Sequence, residues 1–211
     1  MRVMTWNVRS LRDDAAGVAA VLRGAAPDIV LVQEAPRLWR WRYKCARLAR
    51  QAGLVVVTGG RTAAGNLILC SMRVGVVSSY DVLLPKRPRL HRRGAATAVL
   101  SVDGRRVSVL GTHLDLDPAA RLESARRLRQ SSYDVLGADV NETPGGPAWA
   151  ALSAGLVDIA DGLGPTFSVA NPRRRIDGLF VAPALRPVHV EVLECGPVSD
   201  HKPILAELSW Q

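Results

Sequence analysis

The chain has 211 residues, room for one compact domain with a full core and little room for an accessory domain. Apolar residues make up 48% and charged residues 22%, which excludes a disordered chain, and no apolar run approaches the roughly 18 residues of a membrane-spanning helix. The formal charge of +9, from 28 basic and 19 acidic residues, creates a positive field that attracts polyanions such as nucleic acid or acidic lipid surfaces.

The first segment, RVMTWNV at 2–8, alternates Val3, Thr5 and Asn7 with Met4, Trp6 and Val8, the period of a strand, and Asn7 falls near its end. Residues 12–25 carry Val18, Val21 and Leu22 at helical spacing, and Pro27 then forces an extended start for the buried strand in DIVLVQE. A helix is predicted over about 37–52, with Leu38, Trp41, Cys45, Leu48 and Ala52 on its apolar face. AATAVLSV and RRVSVLGTHL are β-type runs joined by Asp103-Gly104, the strongest short hairpin signal. A helix at about 118–130, a strand at 135–141 and a small helix near 146–154 come next, and RIDGLFVA, PVHVEVLE and PILAELSW read as three later strands. Strand and helix alternating first, with hairpins later, predict an α/β fold with mixed sheets. The N-terminus has no apolar stretch of the signal-peptide kind, so a cytoplasmic location is expected. Cys45, Cys70 and Cys195 are odd in number and widely spaced, which implies neither a disulfide framework nor a zinc site.

Several polar residues stand where the elements end. Glu34 directly follows a buried apolar strand, where a carboxylate needs a cation, a metal or strong hydrogen bonds. Asp139 and Asn141 lie two apart, so strand alternation points both to one side. His113 ends the strand VSVLGTH, Asp177 sits inside the apolar RIDGLFV, and Asp200-His201 precede the last strand. Taken singly, each has a bland alternative: a turn residue at Asn7, a satisfied core or surface histidine at His113, strand-end caps at Asp139 and Asn141. Their position distinguishes them, because Asn7, Glu34, His113, Asp139 and Asn141 all fall at C-terminal strand ends, the edge where α/β folds bind ligands. Carboxylates, amides and imidazoles without a thiolate cluster suit Mg²⁺ or Mn²⁺ better than Zn²⁺. Ser199-Asp200-His201 is no serine-hydrolase signature, since triad members converge from separate segments.

TWN at 5–7, QE at 33–34, GNLILCS at 65–71, GTHLD at 111–115, GADVN at 137–141, RID at 175–177 and SDH at 199–201 together resemble the endonuclease/exonuclease/phosphatase (DNase I-like) superfamily, in that family's order and over nearly the whole chain. The resemblance implies one catalytic domain over 1–211, built as a four-layer α/β sandwich in which two mixed β-sheets pack face to face with helices outside. It implies a Mg²⁺- or Mn²⁺-dependent phosphoric ester hydrolase. Glu34 is then the principal metal ligand, with Asn7 and Asp200 binding or positioning the metal. Asp139 is implied to orient or deprotonate the attacking water, and Asn141 to hold that water or a phosphate oxygen. His201 faces phosphate with Asp177 fixing its tautomer, and His113 binds or protonates a phosphoryl oxygen. Arg9 and Arg121 are implied to contact substrate phosphate.

The basic stretches PKRPRLHRR at 85–93 and PRRR at 172–175 would track a phosphate backbone if both flanked the cleft, and are solvated loops otherwise. Trp39 and Trp41 are expected to pack with their helix, base stacking being the alternative. The expectation is a monomeric nuclease acting on nucleic acid. The alternative is a phosphatase or phosphodiesterase of a small phosphorylated metabolite or lipid headgroup, and a non-catalytic nucleic-acid-binding module of the same fold is a third reading. Arg9 stands where the superfamily's abasic-site repair enzymes carry an acidic residue, so a dedicated repair role is not expected.

Overall fold

In the computed structural model, which describes residues 1–211, the chain opens with β1 (Arg2–Asn7), α1 (Ala15–Ala25), β2 (Ile29–Gln33) and α2 (Trp41–Ala52). Three strands follow: β3 (Val55–Gly60), β4 (Asn66–Cys70) and β5 (Gly75–Leu83). The hairpin β6 (Gly94–Val102) and β7 (Arg105–His113) leads to α3 (Pro118–Leu128), β8 (Val135–Asp139), α4 (Pro147–Ser153) and the short β9 (Val157–Asp158). The chain closes with β10 (Asp177–Val181), β11 (Leu185–Val192) and β12 (Ile204–Trp210).

The strands form two six-stranded sheets, ordered β11-β12-β1-β2-β4-β3 and β5-β6-β7-β8-β10-β9. Alternation along β1 explains how the first is covered on both faces. Val3 points into the core between the sheets, where Leu31 and Ile68 meet Leu100, Val109 and Leu179 of the second sheet. Met4 and Trp6 point the other way, onto Val18, Leu22 and Leu48 of α1 and α2. The second sheet turns Leu110, Leu136 and Phe180 outward against Leu128 of α3 and Trp149 and Leu152 of α4. The result is helices, sheet, sheet, helices: the expected four-layer α/β sandwich. Strands buried on both faces read as near-continuous apolar runs, as IVLVQ does. A side chain such as Leu31, wholly buried between the sheets, stabilises the fold by roughly 1.5–3 kcal/mol.

One parallel pair lies at the centre of each sheet, β1 with β2 and β7 with β8. Their C-terminal ends share one edge. β12 runs antiparallel to β1 and β10 antiparallel to β8, so the starts of β10 and β12 reach that same edge. The sheets approach closely beneath it at Gly137, where an added Cβ would stand 2.7 Å from Thr5 Oγ1 and 2.8 Å from Leu31 Cδ1. Only a glycine fits there, which accounts for the first residue of GADVN.

Several element boundaries differ from expectation. The helix predicted from about 37 starts at Trp41, and Leu38 lies outside it and is 77% exposed rather than on its apolar face. Strand β8 ends at Asp139, not 141, because Asn141 takes a left-handed backbone (φ 55°). β3, β4, β5 and β9 are not among the strands expected from the sequence. β3, β5 and β9 lie at sheet edges, where one row of backbone groups has no partner and the apolar alternation is weak. β4 is a short, fully buried apolar run that periodicity alone cannot type. Asp103-Gly104 does form the predicted turn, with φ of 50° and 79°. No helix is long and apolar enough to cross a membrane.

Candidate active site

The shared sheet edge gathers residues that are distant in sequence, and register fixes which meet. His113, Asp139 and Asp177 are direct partners on adjacent strands β7, β8 and β10, and Asn7 pairs with Gln33 at the end of the β1/β2 pair. Asp139 is the hub. It is 1% exposed, and Asn7 Nδ2 donates to its Oδ2 at 2.8 Å. The Asn141 backbone N–H donates to Oδ1 at 3.1 Å. His113 Nε2 lies 3.3 Å and His201 Nε2 3.7 Å from Oδ2. Asn141 therefore reaches the site through a left-handed turn beyond the strand, and not through the strand alternation that the sequence suggests.

The two histidines beside Asp139 have opposite protonation states. Burial works against charge on His201, but Asp177, whose Oδ2 accepts from Nδ1 at 2.8 Å, outweighs it with Asp139 and Asp200 behind, raising the pKa to about 10. For His113 burial wins over the pull of Asp139 and the pKa falls to about 3. The hydrogen bonds agree with a neutral ring. Asn141 Nδ2 donates to the Leu114 carbonyl at 3.0 Å, which fixes the amide, so the same nitrogen donates to His113 Nε2 at 2.9 Å. The His113 proton then sits on Nδ1, 3.8 Å from Glu34 Oε1. Two imidazoles whose environments push their pKa values apart are a mark of divided acid–base roles.

The His201–Asp177 pair makes a stability prediction. Its folded pKa lies above the ordinary value near 6.5, so the pair's stabilisation is present in full below about pH 6.5 and is lost as pH rises through about 10. Asp177→Asn leaves burial unopposed by its nearest carboxylate. We expect imidazole NMR of the EDTA-treated protein to show the His201 titration well below 10 in this variant. An unchanged titration would assign the shift to another group.

Glu34 follows β2 in a left-handed conformation (φ 51°), and its carboxylate is about one-third exposed and faces the cleft. Asn7 Nδ2 is its only close amide neighbour, at 3.4 Å. Asp200 lines the same cleft, pairs through Oδ2 with Arg9 Nε at 3.2 Å, and has a buried Oδ1 with no hydrogen-bond partner. A second orphaned carboxylate oxygen, Asp177 Oδ1, lies nearby. Asp139, Asp177 and His201 bring one donor atom each to within 4.8 Å of one another. Buried carboxylate oxygens without partners are costly, and hard oxygen donors of this kind match a divalent cation such as Mg²⁺.

Residues 4–201 match the Endonuclease/Exonuclease/phosphatase family. The chain belongs to that family. It is accordingly a phosphoric ester hydrolase. Mannosyl-6-phosphatase Bt3783 of Bacteroides thetaiotaomicron VPI-5482 is similar in structure, with TM-score 0.86, 18% identity and all of both chains covered. So is D. rerio TDP2 complexed with a single-strand DNA product, at TM-score 0.80 and 20% identity over 99% of this chain and 98% of that one. An endonuclease/exonuclease/phosphatase from Beutenbergia cavernae DSM 12333 has TM-score 0.76 and 24% identity over all of this chain and 71% of its own. At these identities the likeness shows the fold. No curated protein matches the chain.

Of the residues singled out by the family resemblance, eight meet around this edge: Asn7, Glu34, His113, Asp139, Asn141, Asp177, Asp200 and His201. The two arginines differ. Arg121 is not at the cleft. It is 8% exposed and its guanidinium is engaged by Glu142 Oε1 at 3.2 Å and by the carbonyls of Asp115 and Leu116, so it braces loops away from the cleft. Arg9 is close, yet its guanidinium is held between Asp13 and Asp200. Asn7 is tied to the site by hydrogen bonds. Its Oδ1 accepts the Arg9 backbone N–H at 3.0 Å and its Nδ2 serves two carboxylates, an arrangement that positions both Asp139 and Glu34.

The basic runs split in the same way. Arg87 pairs with Glu123, and Arg175 with Asp158 at 2.9 Å. Arg93 instead turns inward to line the cleft, with Nε 3.5 Å from Asp115 Oδ2, and burial lowers its pKa against the pull of Asp115 and Asp139. Its signal in the sequence is its place as the last cation of the run, one residue before β6. Arg12, Arg37 and Arg174 join it around a cleft of about 540 Å³. Phe167 forms one wall, its ring 4.8 Å from that of His201. Thr166, wholly buried, accepts the N–H groups of Ile176 and Asp177 through its hydroxyl and sets the start of β10. Nothing in the sequence around Phe167 and Thr166 marks them.

Proposed function

We propose that this hydrolase is a Mg²⁺- or Mn²⁺-dependent phosphodiesterase acting on nucleic acid, with the eight-residue edge as its active site. The observation that carries the reading is Asp139 set between a cationic and a neutral imidazole in a cleft ringed by arginines. Asp139 is the group to aim and deprotonate water, its Oδ2 oriented by Asn7. His201, held cationic by Asp177, presents Nε2–H to a phosphoryl oxygen, His113 has Nδ1–H for a second oxygen, and Asn141, its amide hydrogens spent on His113 and the Leu114 carbonyl, has Oδ1 to accept from the water. Glu34 and Asp200 would hold the cation, which supplies charge neutralisation on the phosphoryl group. Arg93 and Arg174 add positive field around the substrate.

A nucleic acid is favoured over a small phosphoester because four arginines, Arg12, Arg37, Arg93 and Arg174, line the cleft, more cations than a single phosphate requires. Single- and double-stranded DNA and RNA, bis-p-nitrophenyl phosphate and phosphomonoesters, each assayed with Mg²⁺ and Mn²⁺, test this. Cleavage of phosphomonoesters alone would favour the metabolite phosphatase reading. Salt dependence gives a second check. Replacing Arg37 and Arg174 by Ala is expected to flatten the log–log salt slope of oligonucleotide binding by about 0.7–0.9 per lost phosphate contact. Hydrolysis of bis-p-nitrophenyl phosphate should change far less. An unaltered slope would remove both arginines from the interface.

A further inference from the structure

We infer that the groove between the Arg9–Leu11 turn and α2 is a second binding site, taking a nucleotide that flanks the scissile phosphate of a single strand; this rests on the nuclease reading above. The groove measures about 200 Å³, the scale of one aromatic base, and is lined by Leu11, Trp39, Arg40, Tyr43, Lys44 and Arg47 among others, with no carboxylate in its lining. Trp39 is 76% and Tyr43 56% exposed. Large aromatic surfaces left open to water together are a mark of a binding face. The guanidinium of Arg40 lies over both rings, 5.3 Å and 4.8 Å from their centroids, and sets them beside each other. Flat rings beside fixed cations are what a base and its phosphates require, and stacking on them tolerates any sequence.

The groove is joined to the active site through a strained wall. Arg9, Ser10 and Leu11 adopt positive φ in succession, 44°, 58° and 57°, and Arg40 at the opposite lip has φ 55°. None is a glycine, and such a run persists only where its surroundings dictate it. Here the surroundings are active-site groups. Ser10 N–H donates to the Glu34 carbonyl at 2.7 Å, Arg9 N–H to Asn7 Oδ1 at 3.0 Å, and the Arg9 side chain pairs with Asp200. Ser10 lines both the catalytic cleft and the groove. A strand with its phosphate at Asp139 therefore continues over Ser10 onto Trp39 and Tyr43, with Lys44 and Arg47 toward the next phosphates. A metabolite or headgroup filling the cleft alone has no use for these rings.

The test uses the full chain, with Trp39 and Tyr43 replaced together by Ala. Both are exposed and outside the catalytic machinery, so Mg²⁺-dependent hydrolysis of bis-p-nitrophenyl phosphate should stay at the wild-type rate. Binding of a fluorescein-labelled single-stranded DNA 12-mer, and of the same strand made abasic throughout, is measured by anisotropy in EDTA. The wild type is expected to bind the base-bearing strand at least about tenfold tighter than the abasic one. The variant should bind both strands alike, near the wild type's abasic affinity. Retained discrimination in the variant would overturn the subsite while leaving the nuclease reading intact. An equal loss on both strands would overturn it too, because the rings would then not be stacking on bases. Loss of binding to phosphatidylserine vesicles, with oligonucleotide binding unchanged, would reassign the face to a membrane surface. Failure of the wild type to bind or cleave any oligonucleotide while hydrolysing small phosphoesters would instead remove the nuclease reading, and the groove's assigned occupant with it.

Discussion

Asp139→Asn is expected to lower kcat on a phosphodiester by at least about 10², the usual contribution of a positioned acid–base group. The substitution keeps the shape of the side chain and leaves an oxygen to accept the Asn141 N–H. It removes the charge facing His201 and sets an amide NH₂ against Asn7 Nδ2, which loses its shorter hydrogen bond and keeps only the 3.4 Å contact with Glu34 Oε1. Losing that hydrogen bond in a buried site costs about 1–3 kcal/mol, within what a domain of this size survives. The variant should therefore fold, with a depressed melting temperature and an unchanged circular dichroism spectrum. His201→Ala should lose at least about 10² as well, since the imidazolium and its hydrogen bond to the reacting group go together. Wild-type turnover by the Asp139→Asn variant would place the chemistry elsewhere.

EDTA is expected to abolish hydrolysis, and Mg²⁺ or Mn²⁺ to restore it. The structural ground is the pair Glu34 and Asp200, two carboxylates lining the same cleft, one of which holds a buried oxygen without a partner. Glu34→Gln keeps the side chain's size and its contact with Asn7 but removes one of the two charges, so the metal concentration for half-maximal activity should rise by a large factor. A second readout does not depend on turnover. A ligand at 100 times its Kd stabilises the folded state by about 2.7 kcal/mol, so Mg²⁺ should raise the melting temperature of the wild type in a concentration-dependent way. The Glu34→Gln variant should need far more Mg²⁺ for the same rise. Full activity in EDTA, or equal Mg²⁺ stabilisation of both proteins, would sink the assignment.

Most of the fold could be read from the sequence because its elements carry local signals. Strands buried on both faces appear as apolar runs, and Asp103-Gly104 marks its hairpin. The edge strands β3 and β5 lacked such a signal, since half their surface faces water and mixes Val with Ser, Thr and Gly. Residue types at strand ends likewise pointed to Asn7, Glu34, His113, Asp139 and Asn141, and parallel strand pairs do bring those ends to one edge.

Tertiary structure alone decided what each charged group is free to do. Arg121 and Arg93 look alike in the sequence, yet one is spent on Glu142 and two carbonyls inside a loop and the other faces the cleft. His113 and His201 have the same ordinary pKa, yet burial leaves the first neutral, with Asn141 donating to its Nε2, while Asp177 outweighs burial and leaves the second charged. Local propensity acts over a few residues and so can be read along the chain. The state of these two imidazoles depends on burial and on partners 24 and 28 positions away, and those are set when the strands come into register.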